Sequence, residues 1–411
     1  MKIFEKKSKT KVVIVGAGFA GLSAAKILPP DFDITVIDPW PYFEFLPNIH
    51  ELVSSVKKPR QLRLSRKKIV ENMGHRYLED RVSEWEPDKN RLKTQKGDWL
   101  SYDFAICATG GVSNFFGVPG AEEIAFDFKS VRDCHSIGKA LDALASKRKG
   151  FSLVIVGGGI EGVESMGEVL RKFGGHDGLL IHLVDGQPRT LSFGPPGLHD
   201  EVVRLCRNLP VLFHMQRSVK AVYENRVILS DDESIAADMV IWTGGVKPRD
   251  DLFKWGLAES LGKWAGVKDS LQHVRYSNIF VAGDSALTEK PVGKQAYHAV
   301  DMGERAAKNV ILCAKGKAPL NFKPSSKPTL VTFGHLSTFL VSKSFSVSGP
   351  ALSFVKEAVY QAVMLKFDPG WKVGRAIRLA KRASTGLAGR VLPLLSSPGE
   401  IIKLADMRFI G

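Results

Sequence analysis

Cysteine is scarce in this chain. Four residues in 411, Cys107, Cys134, Cys206 and Cys313, lie far apart in the sequence. No CxxC occurs, which argues against a dithiol redox pair and a zinc knuckle, and no other metal-ligand spacing stands out. Scattered single cysteines read as reduced, buried structural thiols of a reducing compartment. No apolar run approaches the roughly 18 residues of a membrane-spanning helix. The basic start "MKIFEKKSKTK" leads to the first strand without an apolar stretch of signal length, so no secretory signal is expected. Acid is in deficit too: 43 Asp and Glu stand against 58 Lys and Arg, a formal charge of +15. That balance suits nucleic acid, an anionic membrane surface or acidic ligands, and by itself selects none of them.

Glycine, in contrast, is abundant and patterned. "KVVIV" (Lys11–Val15) is a β-branched run suited to a strand buried on both faces. Gly16, Gly18 and Gly21 follow with G-x-G-x-x-G spacing, and "LSAAKIL" reads as helix. The first glycine makes the tight turn, the second lets the backbone approach a pyrophosphate, and the third lets helix pack on strand. "FDITVID" then ends in Asp38, 17 residues beyond Gly21, where a carboxylate can bind an adenosine ribose.

The whole unit then recurs, offset by 141 residues. "FSLVIV" is the strand, and Gly157, Gly159 and Gly162 are the fingerprint. "VESMGEVLRKF" is the helix, and "LLIHLVD" ends in Asp185, 23 residues beyond Gly162. Two complete units imply two dinucleotides, one a tightly held electron carrier and one that comes and goes. An acid at Asp185 favours NADH over NADPH, because it hydrogen-bonds a 2′-hydroxyl and repels a 2′-phosphate. Arg189 close behind softens that preference. Glu164, in the first turn of the second helix, is either a catalytic carboxylate or an ordinary dipole-stabilising acid. Glu168, one turn later, reads as a packing or solvated residue.

Further segments carry a resemblance. "YDFAICATGG" (Tyr102–Gly111), "NFFGVPG" (Asn114–Gly120), "DMVIWTGGVKP" (Asp238–Pro248), "NIFVAGDSA" (Asn278–Ala286) and "YFEFLPNIHELVSS" (Tyr42–Ser55) stand in order around the two fingerprints. Over about residues 10–312 the chain resembles the two-dinucleotide flavoprotein family of pyridine-nucleotide oxidoreductases. It looks most like type II NADH:quinone dehydrogenases and apoptosis-inducing-factor-like quinone reductases. Sulfide:quinone oxidoreductases and disulfide reductases are set aside, since the cysteines they need at the flavin find no match.

The resemblance implies an α/β fold of two Rossmann-like domains. The FAD domain would span 1–112 and 247–315, the NADH domain 113–246, and a C-terminal membrane-association region 316–411. It implies non-covalent FAD held by Gly16, Gly18, Gly21, Asp38, Thr109, Gly110 and Asp284. NADH would be held by Gly157, Gly159, Gly162, Glu164, Asp185, Gly244 and Gly245. Glu164 would sit where nicotinamide meets flavin and orient the nicotinamide ribose or relay a proton. The family's A-Q-x-A-x-Q acceptor motif departs here: Tyr297 and Asp301 replace both glutamines. "KQAYHA" (Lys294–Ala299) is closer to the K-x-A-Y of the apoptosis-inducing-factor-like reductases, so Pro47, Lys294 and Tyr297 are the expected quinone residues, with Lys294 stabilising the reduced flavin.

The C-terminal region adds a membrane expectation. "ALSFVKEAVYQAVMLK" places Leu352, Val355, Val359, Ala362 and Val363 on one helical face, and "WKVGRAIRLAKRAS" is basic on one face and apolar on the other. No acid occurs from Trp371 to Gly399. Such a pattern suits an anionic membrane interface, and a solvated or partner-binding helix stays open. The run "KKPRQLRLSRKK" (Lys57–Lys68) would line the same surface. It lacks interleaved aromatics, so nucleic acid is not expected. The expectation is thus an FAD-dependent NADH:quinone oxidoreductase, peripheral on the cytoplasmic face of the membrane, with a homodimer open. The rivals are reduction of a ferredoxin-like protein or other acceptor, and an NADH-binding signalling flavoprotein.

Overall fold

The computed structural model describes residues 9–368 and 408–410. They pack as two compact units. One takes residues up to Glu44, Arg63–Val112 and Val246–Ser326; the other takes Phe45–Leu62, Ser113–Gly245 and the chain from Lys327 onward.

The first unit is built on a five-stranded parallel sheet in the order Ile279–Val281, Phe104–Cys107, Lys11–Val15, Asp33–Ile37, Arg76–Leu78. Its central strands are Val/Ile-rich and buried, as a sheet covered on both faces requires. From Lys11–Val15 the chain moves to one neighbour and later returns to the other side, so the first glycine loop lies at the point where strand order reverses, the usual ligand crevice of such sheets. The helices Phe19–Ile27 and Ala296–Ala314 pack closely. Gly303 permits this, because a Cβ there would fall 2.1 Å from Ala20 O. A three-stranded antiparallel sheet, Val82–Glu86, Arg91–Thr94 and Trp99–Ser101, completes this unit's β-structure beside smaller pairings.

The second unit repeats the plan: Phe126–Asp127, Met239–Trp242, Phe151–Val156, Leu179–Asp185, Val211–Met215, all parallel. The expected strands Phe151–Val156 and Leu179–Asp185 stand as read, and the helix between them runs Ile160–Phe173. The strand pair expected within 328–341 is Thr329–Phe333 against Ser337–Val341, extended by Ser346–Ser348 and Arg408–Ile410 into an antiparallel sheet. The helix Ile160–Phe173 packs against that sheet where Gly167 meets Gly334; a Cβ on Gly167 would lie 2.3 Å from the Gly334 nitrogen.

The helix Leu352–Phe367 buries one stripe and leaves Val355 and Val359 of the apolar face named from the sequence exposed. Leu352, Lys356, Tyr360, Met364 and Phe367 are buried, while Phe354, Val355 and Val359 are exposed. The inward set follows a four-residue step with one three-residue step, a true helical stripe that happens to contain a lysine. The basic helix expected after Trp371 lies outside the described residues.

Candidate functional site: two dinucleotide loops and a buried ion-pair cluster

Each glycine loop has the geometry of a phosphate cradle. Gly16 adopts φ +100°, and a Cβ there would lie 2.3 Å from Ala108 O. A Cβ on Gly21 would lie 1.8 Å from Gly16 O, so the helix approaches its own loop more closely than alanine allows. Gly18 is different: nothing lies within 4 Å of its missing Cβ. It N-caps the helix Phe19–Ile27 without a side-chain cap, and the first turn carries no acid. Open backbone N–H groups at a helix N-terminus, with the dipole behind them, fit a pyrophosphate. The second loop matches: Gly157 has φ +108°, a Cβ on Gly162 would lie 1.7 Å from Gly157 O, and Gly159 faces open space at an uncapped N-terminus.

The two strand-end acids are placed alike and held differently. Asp38 is buried; one oxygen accepts from Ala17 N at 2.8 Å and the other from Trp40 N at 3.0 Å. It also pairs with Arg66 Nη1 at 2.5 Å. Arg66, itself buried, donates through Nε to Ala17 O and through Nη1 to Trp40 O. The Tyr77 hydroxyl donates to the Trp40 and Asp38 carbonyls. Its pKa is raised by burial and by the Asp38 charge, with Arg66 opposing. Asp185 is half-buried and accepts from Gly158 N at 2.5 Å and Gln187 N at 2.6 Å. Each carboxylate thus fixes its own glycine loop from the adjoining strand.

Elsewhere in the first unit, Thr109 Oγ1 lies 3.2 Å from Ser285 Oγ, which accepts from Gly110 N at 2.8 Å. This ties the ATG turn to the short 3-10 turn Gly283–Ser285 that carries Asp284. Lys294 precedes the helix Ala296–Ala314. The residue as a whole is exposed, yet its ammonium end donates to Asp284 O at 2.6 Å and Ala286 O at 3.1 Å and lies 4.0 Å from the centre of the Trp264 ring. Burial of that end lowers its pKa, with the Asp284 charge opposing. Tyr297 packs on His298, ring centroids 4.1 Å apart. A small cavity beside them is lined by Gly283, Asp284, Lys294, His298, Ala299 and Met302 among others.

In the second unit, Gly245 has φ +110° and open space at its missing Cβ, and Gly244 packs against the Trp242 indole. Pro47 opens the 3-10 helix Leu46–Leu52 of this unit, whereas Lys294 and Tyr297 belong to the first. Glu164 is almost fully buried. Its Oε1 accepts from Thr332 N at 3.0 Å and forms a short ion pair with Lys356; its Oε2 lies 3.7 Å from His50 Nε2. Glu168 is fully buried rather than solvated, and its Oε2 accepts from the Ser54 hydroxyl.

The basic run also departs from expectation. Lys58, Arg60, Lys67 and Lys68 are exposed, but Lys57 is buried between Glu51 and Glu357, Arg63 pairs with Glu44, and Arg66 holds Asp38. A charge run counted as surface therefore supplies three cations to four ion pairs within the fold. The four cysteines are free thiols, three of them buried. Burial pushes Cys107 up to about 11 and Cys206 up to about 12, opposite to what a reactive thiolate needs.

The sequence pattern of the pyridine nucleotide-disulphide oxidoreductases matches residues 10–303. The chain belongs to that family. It is therefore an FAD- and NADH-dependent oxidoreductase, as the paired fingerprints led one to expect. Among curated relatives, a type II NADH:quinone oxidoreductase of Staphylococcus aureus is 22% identical over 389 residues, covering 88% of this chain and 96% of the relative. Among solved structures, the sulfide:quinone oxidoreductase of Aquifex aeolicus superposes with TM-score 0.77 at 20% identity, covering 88% of this chain and 92% of that one. NDH2 from Plasmodium falciparum in complex with NADH superposes with TM-score 0.73 at 16% identity, covering 82% and 90%. These two likenesses establish the shared fold.

Proposed function

We propose that this protein is an NADH:quinone oxidoreductase working at a membrane surface on the cytoplasmic side. The observation that carries the reading is the pair of intact dinucleotide cradles in a chain without a reactive cysteine pair. FAD, when bound, would supply the redox chemistry of hydride acceptance and two-electron transfer. The chain's own contribution is positional and electrostatic. The first loop, with Asp38, Thr109, Gly110 and Asp284, holds FAD. The second, with Asp185, Gly244 and Gly245, holds NADH. Glu164 and Lys356 hold a proton in a buried ion pair at the nicotinamide end of the second helix.

Absence of a CxxC removes disulfide reduction by the usual dithiol route, and the type II relatives at full length favour a quinone. The outward face of the helix Leu352–Phe367 supports a lipid-borne acceptor. Phe354, Val355 and Val359 are exposed there, an apolar surface that suits a membrane interface. No described helix is long and apolar enough to cross a membrane, so the attachment proposed is peripheral. Pro47, Lys294 and Tyr297 remain the residues proposed for the quinone. The charge of +15 favours one second reading, electron delivery to an acidic redox protein.

Stopped-flow reduction by NADH, followed by reoxidation with short-chain quinones, a ferredoxin or dioxygen, tests the reading. Fast reoxidation by quinone is expected. Reoxidation by the ferredoxin alone would replace it, and a long-lived reduced-flavin–NAD complex would move the protein to a signalling role.

A further inference from the structure

The buried cluster of the second unit contains more ionisable groups than the Glu164–Lys356 pair requires. His50, 1% exposed, sits at its centre. Its Nε2 is 3.0 Å from Lys356 Nζ and 3.7 Å from Glu164 Oε2. Its Nδ1 faces Glu168 Oε1 at 3.6 Å, and neither of these two atoms has a hydrogen-bond partner among the described residues. Burying a carboxylate at 0% exposure is costly unless pairing offsets it, and packing alone calls for an apolar residue there. On its far side Glu168 meets the Ser54 hydroxyl and Arg171 Nε, the latter at 3.1 Å. Arg171 is 30% exposed and Ser54 half-buried, so this edge of the cluster is the one nearest solvent.

Two other charges that face the cluster, Glu51 and Lys57, are already committed, and Glu161, which also acts on Glu164, pairs with Lys129. Burial would raise the Glu51 carboxyl, but Lys57, His50, Asn48 and Lys356 outweigh it and hold it low. Burial would lower Lys57, but Glu51 and Glu357 outweigh it and hold it high. Near neutral pH these groups keep their charges and stay out of proton traffic. The groups left in line are Glu168, His50, Lys356 and Glu164.

We propose that Glu168 and His50 form the solvent-side arm of a proton relay that ends at Lys356 and Glu164. This rests on the quinone reading above. A quinone leaves carrying two protons for each hydride that NADH brings, so one proton per turnover must come from solvent. A proton reaching Glu168 Oε1 passes to one nitrogen of His50 while the other nitrogen gives one up toward Lys356 and Glu164. One proton enters, one leaves, and no electron moves. Glu168 acts through His50, so it is a positioning and transfer residue, not a group that touches substrate.

The test uses full-length FAD-loaded enzyme, reduced with one equivalent of NADH and then reoxidised in H2O and D2O. Quinone and dioxygen each take up a solvent proton; ferricyanide takes electrons only, the hydrogen that NADH brought is released as a proton, and with no proton taken up it serves as the reference. Glu168→Gln and His50→Asn should slow reoxidation by quinone and dioxygen roughly tenfold or more, with an enlarged solvent isotope effect. The ferricyanide rate should hold, and Glu168→Asp should recover most of the loss. Wild-type rates and isotope effects in both variants overturn the relay, as does equal slowing with ferricyanide, which marks a structural role. Should Glu168→Gln fail to hold FAD, His50→Asn and Glu168→Asp decide by the same readouts. A wild-type enzyme that no quinone reoxidises overturns the quinone reading alone, and dioxygen then reads the relay.

Discussion

The two glycine loops share a backbone and differ in what stands behind it. The first has no acid in its helical first turn, and its strand-end carboxylate is clamped by a buried arginine that also grips the loop at Ala17 O. The second carries Glu161 in its first turn, paired with Lys129, and its strand-end carboxylate is half-buried and held by backbone N–H groups. A positive helix end with no competing acid and a pre-ordered hook suits a cofactor that stays. An acid near the phosphate end and a looser hook suit one that exchanges. Side chains outside the fingerprint thus set the two otherwise equivalent loops apart.

The largest effect expected is a split between equivalent glycines. Gly18 and Gly159 each have open space where a Cβ would point, so a Cβ at either meets none of the protein's own atoms and would project toward the proposed ligand. Gly18→Val should yield colourless, folded protein without FAD. Gly159→Val should remain yellow and lose NADH-driven flavin reduction. Absorbance at flavin wavelengths together with a thermal melt separates the two, and a yellow Gly18→Val protein would break the assignment of the first loop.

Next in size is Arg66→Met. Removing one partner of a buried ion pair leaves Asp38 charged and uncompensated, at a cost of about 3–5 kcal/mol. Thermal stability and FAD retention should fall together. If only the melting temperature falls and FAD stays bound, Arg66 is a structural arginine with no bearing on residence.

Much of this arrangement was legible in the sequence, and what was not shares a cause. Strand, glycines, helix and terminal acid are local in the chain, so Gly16 to Asp38 and Gly157 to Asp185 could be read from spacing. Arg66 was hidden because its partner is 28 positions away and its neighbours are surface lysines; a run of charge gives no hint of which member turns inward. Lys356 did leave a signal. It stands in step with Leu352, Tyr360, Met364 and Phe367, and a lone cation in an apolar stripe points to a buried partner. Naming Val355 and Val359 as the helix's apolar face passed over that second stripe. His50, Glu164 and Lys356 converge from segments more than 100 residues apart, which no spacing rule encodes.

Third comes the looser hook. Asp185→Ser should narrow the preference for NADH over NADPH roughly tenfold or more, the scale of one charge-assisted hydrogen bond of about 1.5–3 kcal/mol. FAD content should not change. Steady-state kcat/KM with both nucleotides is the measurement, and equal use of both by the wild type would remove Asp185 as the discriminator.

The smallest effect expected is a dependence on pH that the first sheet should lack. No histidine lies in its five strands, whereas His182 and His214 stand on neighbouring strands of the second sheet, Nδ1 to Nε2 at 3.0 Å. Burial and the His214 charge lower His182 to about 4, with Glu233 opposing; burial also lowers His214. Arg217 and Asp231 act on His214 with opposite signs. A histidine with a depressed folded pKa binds fewer protons folded than unfolded between its unfolded value of about 6.5 and about 4. Its contribution to stability is therefore intact above about 6.5 and declines as pH falls through that window. Asp185 ends the same strand, so acid should weaken NADH binding before it releases FAD. NADH affinity and flavin fluorescence measured from pH 7.5 down to 5 would show the order, and His182→Gln should flatten the NADH curve. An equally steep acid limb in that variant, or FAD lost first, would place the sensitive group outside this pair.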